Sequence, residues 1–269
     1  MLEAREVEDA TAVRRAAREL DYDRYLAALL APRPARGRLL ALAAFHGEIA
    51  RIPASVREPA MGAIRLQWWR DQLDAASTDE GSGSPVAYGL RAALGGDETM
   101  LGEAMAVIDA YEQLLYPAAL AAPDALDAFV GAGQGAAFRL AARMLGATDD
   151  GSTALINAGA QSYGRVQLLR ALPILLHKGH NPFREGHTDD WRVIAEPLLA
   201  AARVALDEVR RLAPLAPATI RQAILPVALV GPYLKALEGL GSKLAFEQAT
   251  ISPLSRVWRI YAAKRFRRF

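Results

Sequence analysis

The 269-residue chain contains no cysteine, which excludes disulfides, thiolate nucleophiles and metal sites built on sulfur. A reducing compartment is consistent with this absence. A membrane-spanning helix is not predicted either, because the longest apolar run, residues 223–234, is too short and contains Pro226 and Pro232. The opening stretch MLEAREVEDA is polar and acidic, unlike a signal peptide. We therefore expect an intracellular protein without a membrane span.

Residues typical of β-strands are scarce as well. Runs of Val, Ile and Thr are few, whereas the strong helix formers alanine, leucine and arginine are abundant. Apolar residues recur at three- and four-residue steps, as at Leu39, Leu42 and Phe45. Composition and periodicity predict an all-α fold. The absence of a linker or an internal repeat predicts one domain, residues 1–269.

About ten helices are expected, and some of their ends are marked by proline. Pro53 is predicted to end the helix that begins near Arg38, and Pro59 fits the first turn of the next one. Polar loops are expected at residues 77–85 and 177–187. The predicted helices are 8–30, 38–52, 59–75, 86–95, 99–116, 124–145, 152–176, 191–212, 217–240, 243–249 and a last one within 252–268.

Charge is distributed unevenly along the chain. Residues 252–269 contain six cations and no acid, so the rest of the chain carries −4 against +2 for the whole. Aromatic side chains alternate with these cations, a pattern typical of segments that lie at an anionic membrane surface. The residues expected to contact the membrane are Trp258, Arg259, Tyr261, Arg265, Phe266 and Arg268.

Two other interpretations of this basic aromatic tail stand beside the membrane contact. The tail can be a last helix that packs on the body of the protein and ends in a frayed basic segment. Nucleic acid is the rival anion, but no recognition motif accompanies the patch, so it is not an expected partner.

Short motifs give little support for the common enzymatic sites. No Gly-x-Ser-x-Gly elbow, P-loop or His-Glu-x-x-His motif occurs. The stretch GAGQGAAF from Gly131 resembles a dinucleotide loop, but no predicted strand precedes it, which favours a packed or kinked helix. Asp149 and Asp150 fit a helix cap better than a catalytic pair. Of the neighbours Trp68 and Trp69, one is expected in the core and one at a rim or cavity.

Histidines are clustered in one polar loop. His177, His180 and His187 occur close to Asp189 and Asp190. Zinc ligands usually follow a tighter, repeated spacing. Solvated loop residues are therefore the preferred interpretation, with a metal site as the alternative.

A family resemblance is visible in residues 21–73, which read DYDRYLAALLAPRPARGRLLALAAFHGEIARIPASVREPAMGAIRLQWWRDQL. They resemble the first conserved region of the squalene/phytoene synthase family, in which an ALYAFCR-like helix leads into an aspartate-rich metal motif. An Arg-Leu-x-x-Trp signature of a later helix is matched from Arg65 onward. Residues 129–146 resemble the family's glycine-rich kinked helix, and residues 158–173 resemble the helix before the second aspartate motif.

This resemblance implies the all-α isoprenoid-synthase fold, a helical bundle around a central cavity. It also implies the family reaction, in which two prenyl diphosphates condense head to head. That reaction requires magnesium ions that carboxylates hold against the diphosphates.

The sequence departs from the family at the positions of those carboxylates. In the first aspartate motif the acids are replaced by Ala50, Arg51 and Ala54. In the second motif they are replaced by Ala171 and Leu175. The resemblance therefore implies a fold that is kept without the metal ligands of the family.

A divergent branch of the family fits better. Glu48, Pro59, Gly62 and the run from Gln67 to Trp69 are similar to a branch that has lost both aspartate motifs. That branch includes an assembly factor of respiratory complex I and its bacterial relatives. The resemblance thus implies a non-catalytic protein that supports complex I assembly at the membrane. An active prenyl transferase is the second hypothesis, and an isoprenoid- or lipid-binding module is the third.

Candidate site residues follow from the resemblance and the helix pattern. The residues expected to line the cavity are Phe45, Glu48, Ile49, Trp68, Gln134, Arg165, Gln167 and Arg170. If Arg165 and Arg170 face the cavity, we expect them to hold an anionic head group without metal; the alternative is that they are surface or ion-paired arginines.

No catalytic, cofactor or metal residue is predicted, and magnesium is expected only with an active prenyl transferase. The expected partners are subunits of a respiratory complex, an anionic membrane surface, and an isoprenoid or lipid in the cavity. The expected localisation is cytoplasmic, peripheral at the inner membrane.

Overall fold

The structure is a computed structural model that describes residues 2–74, 84–148, 153–184 and 191–269. Every regular element in these ranges is helical and none is a strand, which confirms the predicted all-α class. None of these helices is both long enough and apolar enough to cross a bilayer.

Thirteen α-helices occur in the described ranges. They are α1 (Leu2–Leu20), α2 (Tyr22–Leu29), α3 (Arg33–Ser55), α4 (Pro59–Leu73), α5 (Pro85–Leu94), α6 (Glu98–Gln113), α7 (Pro123–Val130), α8 (Ala136–Met144), α9 (Thr153–His177), α10 (Arg192–Leu212), α11 (Ala218–Ala223), α12 (Val230–Leu240) and α13 (Pro253–Phe266). A π-helical segment, Gly131–Gly135, joins α7 to α8, and 3₁₀ segments lie at Ala213–Leu215, Leu225–Leu229 and Gly241–Ala245.

The helix expected at residues 8–30 is two helices that meet at Asp21. The backbone of Asp21 (φ −138°, ψ 73°) leaves the helical region, and its side chain accepts a hydrogen bond from Arg24 N at 3.1 Å. This is an N-cap, which satisfies a free backbone donor at the start of α2. The apolar periodicity continues across a helix boundary and therefore did not reveal it.

Pro53 does not end its helix, which corrects the prediction, because α3 continues to Ser55. A proline removes one backbone donor and so costs one hydrogen bond of the last turn. The Ser55 hydroxyl donates to Ile52 O at 2.9 Å and helps to complete that turn. The helix ends at Val56, whose backbone is extended.

Further differences from the predicted helices lie at glycine and proline. The glycine-rich stretch from Gly131 forms the π-helical segment within a helical run, and no strand precedes it in the described residues. The single helix expected at 217–240 is interrupted by the 3₁₀ segment that contains Pro226. The helix expected at 243–249 is reduced to the last 3₁₀ segment.

Two long helices, α3 and α9, form the centre of the fold. Helix α3 packs against α1, α2, α5 and α8, and α9 packs against α10, α12 and the π-helical segment. The two central helices also contact each other. Side chains of α2, α3 and α9 enclose a cavity, so the packing of these helices positions the candidate site.

Two glycines permit the close contacts beside this cavity. A Cβ at Gly47 in α3 would lie 2.6 Å from Leu20 Cβ, so glycine lets the end of α1 approach α3. A Cβ at Gly164 in α9 would lie 2.7 Å from Val130 Cγ1 and 3.1 Å from Gln134 Cγ. Larger residues at these positions would push α1 and the π-helical segment away from the central helices.

The predictions for the tryptophan pair and for the histidine loop have different outcomes. Trp69 is 2% exposed and packs edge-on against Phe45, whereas Trp68 is 41% exposed, so one ring is in the core and one at a rim, as predicted. His177 is exposed at the end of α9, as expected of a solvated residue, whereas His180 is buried with its Nε2 at 3.0 Å from Val56 O, which corrects the prediction of a solvated residue there. The remaining residues of these predictions, His187, Asp189, Asp190, Asp149 and Asp150, lie outside the described residues, as does most of the loop at 77–85.

We expect Gly47→Ala to lower the free energy of unfolding by about 1–3 kcal/mol, the typical cost of overpacking, because the new Cβ would contact Leu20. Gly37→Ala is the matched control in the same helix, at an exposed position with no neighbouring atom in contact range. It is expected to raise that free energy by about 0.5–1 kcal/mol, since alanine favours the helix. Urea denaturation followed by circular dichroism measures both. A Gly47→Ala protein as stable as the wild type would refute the constraint.

Candidate functional site

A cavity of about 420 Å³ lies between α2, α3 and α9. Its wall also includes Tyr111 of α6, Gln134 of the π-helical segment and Arg256 of α13. Small-molecule sites commonly have volumes of about 300–1,000 Å³. The lining combines charged and aromatic groups with alanine and leucine side chains, so the cavity is suited to an amphipathic ligand.

Asp21 and Arg24 form a buried ion pair in the cavity wall. Arg24 Nη1 lies 2.9 Å from Asp21 Oδ2, and the guanidinium lies over the rings of Phe138 and Tyr163 at 5.2 and 5.5 Å. Burial alone would raise the pKa of Asp21, but the Arg24 charge and the hydrogen bond with His46 hold that pKa well below its usual range. Asp21 is therefore ionised at neutral pH, and the pair carries no net charge.

His46 connects this ion pair to α6 and to the π-helical segment. Its Nδ1 lies 2.9 Å from Asp21 Oδ2, and its Nε2 lies 3.2 Å from both Tyr111 OH and Gln134 Nε2. Burial lowers the pKa of His46, and the charge of Arg24 lowers it further, so the ring is neutral. One tautomer fits these contacts, with Nδ1–H donating to Asp21 and Nε2 accepting. Arg24 Nη2 donates to Gln134 Oε1 at 2.5 Å and closes the network.

Asp23 is a second buried carboxylate in different surroundings. It accepts hydrogen bonds from the hydroxyls of Tyr163 at 3.1 Å and Tyr233 at 3.0 Å, and from Gln167 Nε2 at 3.4 Å. Burial raises the pKa of Asp23, although two nearby arginines act in the opposite direction. All three of its hydrogen-bond donors are neutral groups, whereas the donors to Asp21 include the charged guanidinium of Arg24.

The two arginines beside Asp23 come from α9 and α13. The Arg170 guanidinium lies 3.9 Å from the centre of the Tyr233 ring, its Nη1 donates to Gln167 Oε1 at 2.6 Å, and its Nε donates to a backbone carbonyl at 3.0 Å. Arg256 Nη1 lies 3.8 Å from Asp23 Oδ1, beyond hydrogen-bond distance. Arg256 Nε is buried and has no hydrogen-bond partner among the described residues.

The positions that the resemblance aligns with the family's metal-binding acids line this cavity. They are Ala50, Arg51 and Ala54 on α3 and Ala171 and Leu175 on α9. None of these five side chains is a carboxylate. Within the described ranges, no group of three or more His, Asp or Glu side chains is arranged to hold a metal ion. The donor set therefore does not fit the magnesium cluster that the family reaction requires.

Gln134, Gln167 and Arg170, three of the predicted cavity residues, are part of the wall. Arg165 is not, which corrects the prediction. Its guanidinium forms an ion pair with Asp127 of α7 instead. Arg165 is thus an ion-paired arginine outside the cavity, whereas Arg170 faces into the cavity as predicted for a residue that holds an anionic head group.

Other predicted lining residues lie outside the wall. They are Phe45, Glu48, Ile49 and Trp68. On α3 the cavity face is formed by His46, Ala50 and Ala54, at four-residue steps. Phe45 lies one residue from that face, a rotation of about 100°, and is fully buried in the core against α4. Trp68 lies on α4 and is largely directed to solvent.

The polar groups at the heart of the cavity were not predicted. They are the lining residues Asp21, Asp23, Arg24, His46, Tyr111, Tyr163 and Arg256, together with Tyr233, which donates to Asp23 from outside the wall. Local signals exist for the first three, in the DYDR sequence at the start of an otherwise apolar helix, and for His46, a polar residue among alanines and leucines. Because α2 is buried from Asp23 to Ala28, its charged residues have no solvent-exposed side and must find partners inside the protein.

The basic aromatic tail forms α13, which packs on the body and has an exposed face. Ile260 and Ala263 are its buried residues. All six residues predicted to contact the membrane are exposed, namely Trp258, Arg259, Tyr261, Arg265, Phe266 and Arg268. None of these three arginines forms an ion pair with a described carboxylate. The helix therefore presents both aromatic rings and uncompensated positive charge to solvent.

Comparison with known proteins identifies the fold. The family model described as squalene/phytoene synthase matches residues 17–256. The squalene synthase HpnC from Alicyclobacillus acidocaldarius superposes with a TM-score of 0.68 at 18% identity, over 88% of this chain and 96% of that chain. A dehydrosqualene synthase in complex with ligand superposes with a TM-score of 0.69 at 11% identity, over 98% of both. These similarities confirm the predicted isoprenoid-synthase helical fold.

Curated relatives carry a different name. The chain is 31% identical over 156 residues to a Bos taurus protein named NADH dehydrogenase (ubiquinone) complex I, assembly factor 6. The Mus musculus and Homo sapiens proteins of that name are 30% and 29% identical over the same length. Each match covers 58% of this chain and 47% of the relative. The chain thus spans about half the length of the curated relatives it matches.

We expect Asp21→Asn and Asp23→Asn to have very different effects on stability. Asp21→Asn leaves Arg24 buried without a counter-charge and should lower the free energy of unfolding by about 3–5 kcal/mol. Asp23→Asn removes a carboxylate whose charged form burial disfavours but which Arg170 and Arg256 face without a hydrogen bond, so the loss should be smaller, about 1–2 kcal/mol. Urea denaturation at neutral pH measures both variants. Equal losses would contradict the assignment of Asp21 as the ionised partner of Arg24.

Proposed function

Because the chain belongs to the squalene/phytoene synthase family, we propose that it is a non-catalytic member that supports assembly of respiratory complex I. One observation carries the proposal. The two helix faces that would hold the magnesium ions of the family line the cavity with Ala50, Arg51, Ala54, Ala171 and Leu175.

The family reaction explains why carboxylates at these positions matter. The reaction releases diphosphate, and magnesium ions held by carboxylates neutralise the negative charge that develops on it. A cavity without these ions must ionise the substrate against a higher barrier, and each tenfold loss of rate corresponds to about 1.4 kcal/mol. The lining acids Asp21 and Asp23 are engaged by protein donors and do not replace the two clusters.

The curated relatives support the assembly role. They are named as assembly factors of complex I, and their similarity to this chain extends over 156 residues. We propose that this chain likewise contacts subunits of a respiratory complex and keeps the synthase fold as a scaffold. An active prenyl transferase is the competing hypothesis, supported by the shared fold.

We expect deletion of the gene in the organism that encodes it to lower NADH–quinone oxidoreductase activity of isolated membranes several-fold. Squalene, phytoene and related isoprenoid products should stay at their normal levels, since the protein is proposed to make none of them. Enzyme assays on membranes and mass spectrometry of lipid extracts measure the two outputs in the same strains. Succinate–quinone oxidoreductase activity is the control for general damage to respiration, and the wild-type gene should restore the lost activity.

A second assay tests the enzyme hypothesis directly. Purified protein incubated with farnesyl or geranylgeranyl diphosphate and magnesium should form no squalene, phytoene or cyclopropyl precursor. Product formation, or a deletion strain that respires normally on NADH but lacks an isoprenoid product, would reject the proposed function in favour of a prenyl transferase.

We propose that α13 holds the protein at the membrane in which the complex is assembled, as a peripheral protein on its cytoplasmic face. Its exposed aromatic residues Trp258, Tyr261 and Phe266 suit the interfacial region of a bilayer. The arginines between them are free of ion pairs with described acids and suit anionic lipid head groups.

The membrane proposal predicts that replacing Arg259, Arg265 and Arg268 together by glutamine weakens binding to anionic vesicles about a hundredfold, since each cation contributes about 1 kcal/mol. The matched control replaces three exposed arginines elsewhere, Arg14, Arg18 and Arg38, and so removes the same charge from another surface. Vesicle sedimentation at fixed ionic strength measures both. Equal weakening by the two triple variants would show that total charge, and not α13, sets the affinity.

A further inference from the structure

The cavity contains more positive charge than its own carboxylates neutralise. Of the lining acids, Asp21 is paired with Arg24, and Glu19 is paired with Arg15 outside the wall. Asp23 is then the one described acid of the lining that faces unpaired cations. The lining arginines that remain are Arg51, Arg170 and Arg256. Glu48 of the same helix interacts electrostatically with Arg51 from outside the wall, so Arg170 and Arg256 against Asp23 leave an excess of one positive charge, which calls for an anion.

Arg256 is the lining arginine with a buried donor that the described residues leave without a hydrogen bond. An arginine side chain has five N–H donors, and that of Arg256 makes no hydrogen bond with any described residue. Its Nε is buried, and its closest carboxylate oxygen, of Asp23, is 3.8 Å from Nη1. Buried polar groups are nearly always hydrogen-bonded. The fork of donors is therefore positioned for a partner that the described residues do not supply.

Arg170 is held in place while part of its guanidinium stays available. Contacts with the Tyr233 ring, Gln167 Oε1 and a backbone carbonyl fix its plane through Nε and Nη1. Its Nη2 has no hydrogen-bond partner in the described part of the chain. A guanidinium fixed in this way is pre-organised to bind a carboxylate or phosphate oxygen.

Apolar side chains of the same wall suit a hydrocarbon chain. Leu114, Phe129, Leu168 and Ile174 line the cavity together with the alanines at the family's metal positions. A ligand that fills this space therefore has an apolar part beside its charged head group.

We propose that the cavity binds a single-chain amphiphile whose anionic head group is held directly by Arg51, Arg170 and Arg256, with no divalent cation. Guanidinium groups take over the charge neutralisation that magnesium supplies in the enzymes of the family, and Arg51 stands at one of the former acid positions. The head group is a phosphate or a carboxylate, which share this chemistry. This binding does not depend on the assembly role, since it is a property of the isolated chain.

Isothermal titration calorimetry with dodecyl phosphate, below its micelle concentration, tests the proposal on the full chain. We expect saturable binding that is equal in excess EDTA and in millimolar magnesium. Dodecanoate in place of dodecyl phosphate shows whether the site prefers a carboxylate or a phosphate head group. Binding of either one supports the proposal, because both share this chemistry. Dodecanol and inorganic phosphate, which each lack one half of the ligand, should bind at least about tenfold more weakly, the loss of one charge-assisted contact.

Arg256→Gln and Arg170→Gln should each weaken binding at least about tenfold. Arg38→Gln is the matched control, since it makes the same change at an exposed position of α3 away from the cavity wall, and it should leave affinity unchanged. If a cavity variant does not fold, the wild-type protein still tests the proposal. Its affinities for the different head groups, and in EDTA against magnesium, are then compared. Binding that requires magnesium, dodecanol that binds as well as the anions, or no binding of either amphiphile would overturn the proposal, whatever the outcome for complex I.

Discussion

Burial of the Arg24 guanidinium is the constraint on which the arrangement of the cavity depends. A buried charge costs several kcal/mol unless it is paired and hydrogen-bonded. The partners come from separate elements, with Asp21 from the cap of α2 and Gln134 from the π-helical segment, while His46 of α3 holds Asp21 in place. These elements must therefore keep fixed distances, and glycines at positions 47 and 164 let them come close enough.

Local sequence patterns are sufficient to predict the helices, but they do not predict which face of each helix lines the cavity. The apolar repeat of α3 identifies a helix, yet α3 is buried nearly all round between Leu39 and Ile49. Hydrophobicity then does not distinguish the core face with Phe45 from the cavity face with Ala50. The polar side chain of His46, among alanines and leucines, is the one local mark of the cavity face.

Family resemblance and long-range contacts account for the rest. The aspartate motifs of the family correctly place positions 50, 51, 54, 171 and 175 at the cavity, because a fold preserves helix faces even where residue types change. The surroundings of Asp23 are not predictable in this way. Tyr163, Tyr233 and Arg256 follow it by 140 residues or more, and such contacts have no periodicity in the sequence.

The π-helical segment at Gly131–Gly135 has a consequence for the number of residues in the chain. Its hydrogen bonds span five residues where those of an α-helix span four, so the segment contains one residue in excess. Deleting that residue would give a continuous α-helix from Pro123 to Met144, but it would turn the side chains of the segment to new directions and take Gln134 from Arg24. The network around Arg24 therefore requires one residue more at this point than a regular α-helix would contain.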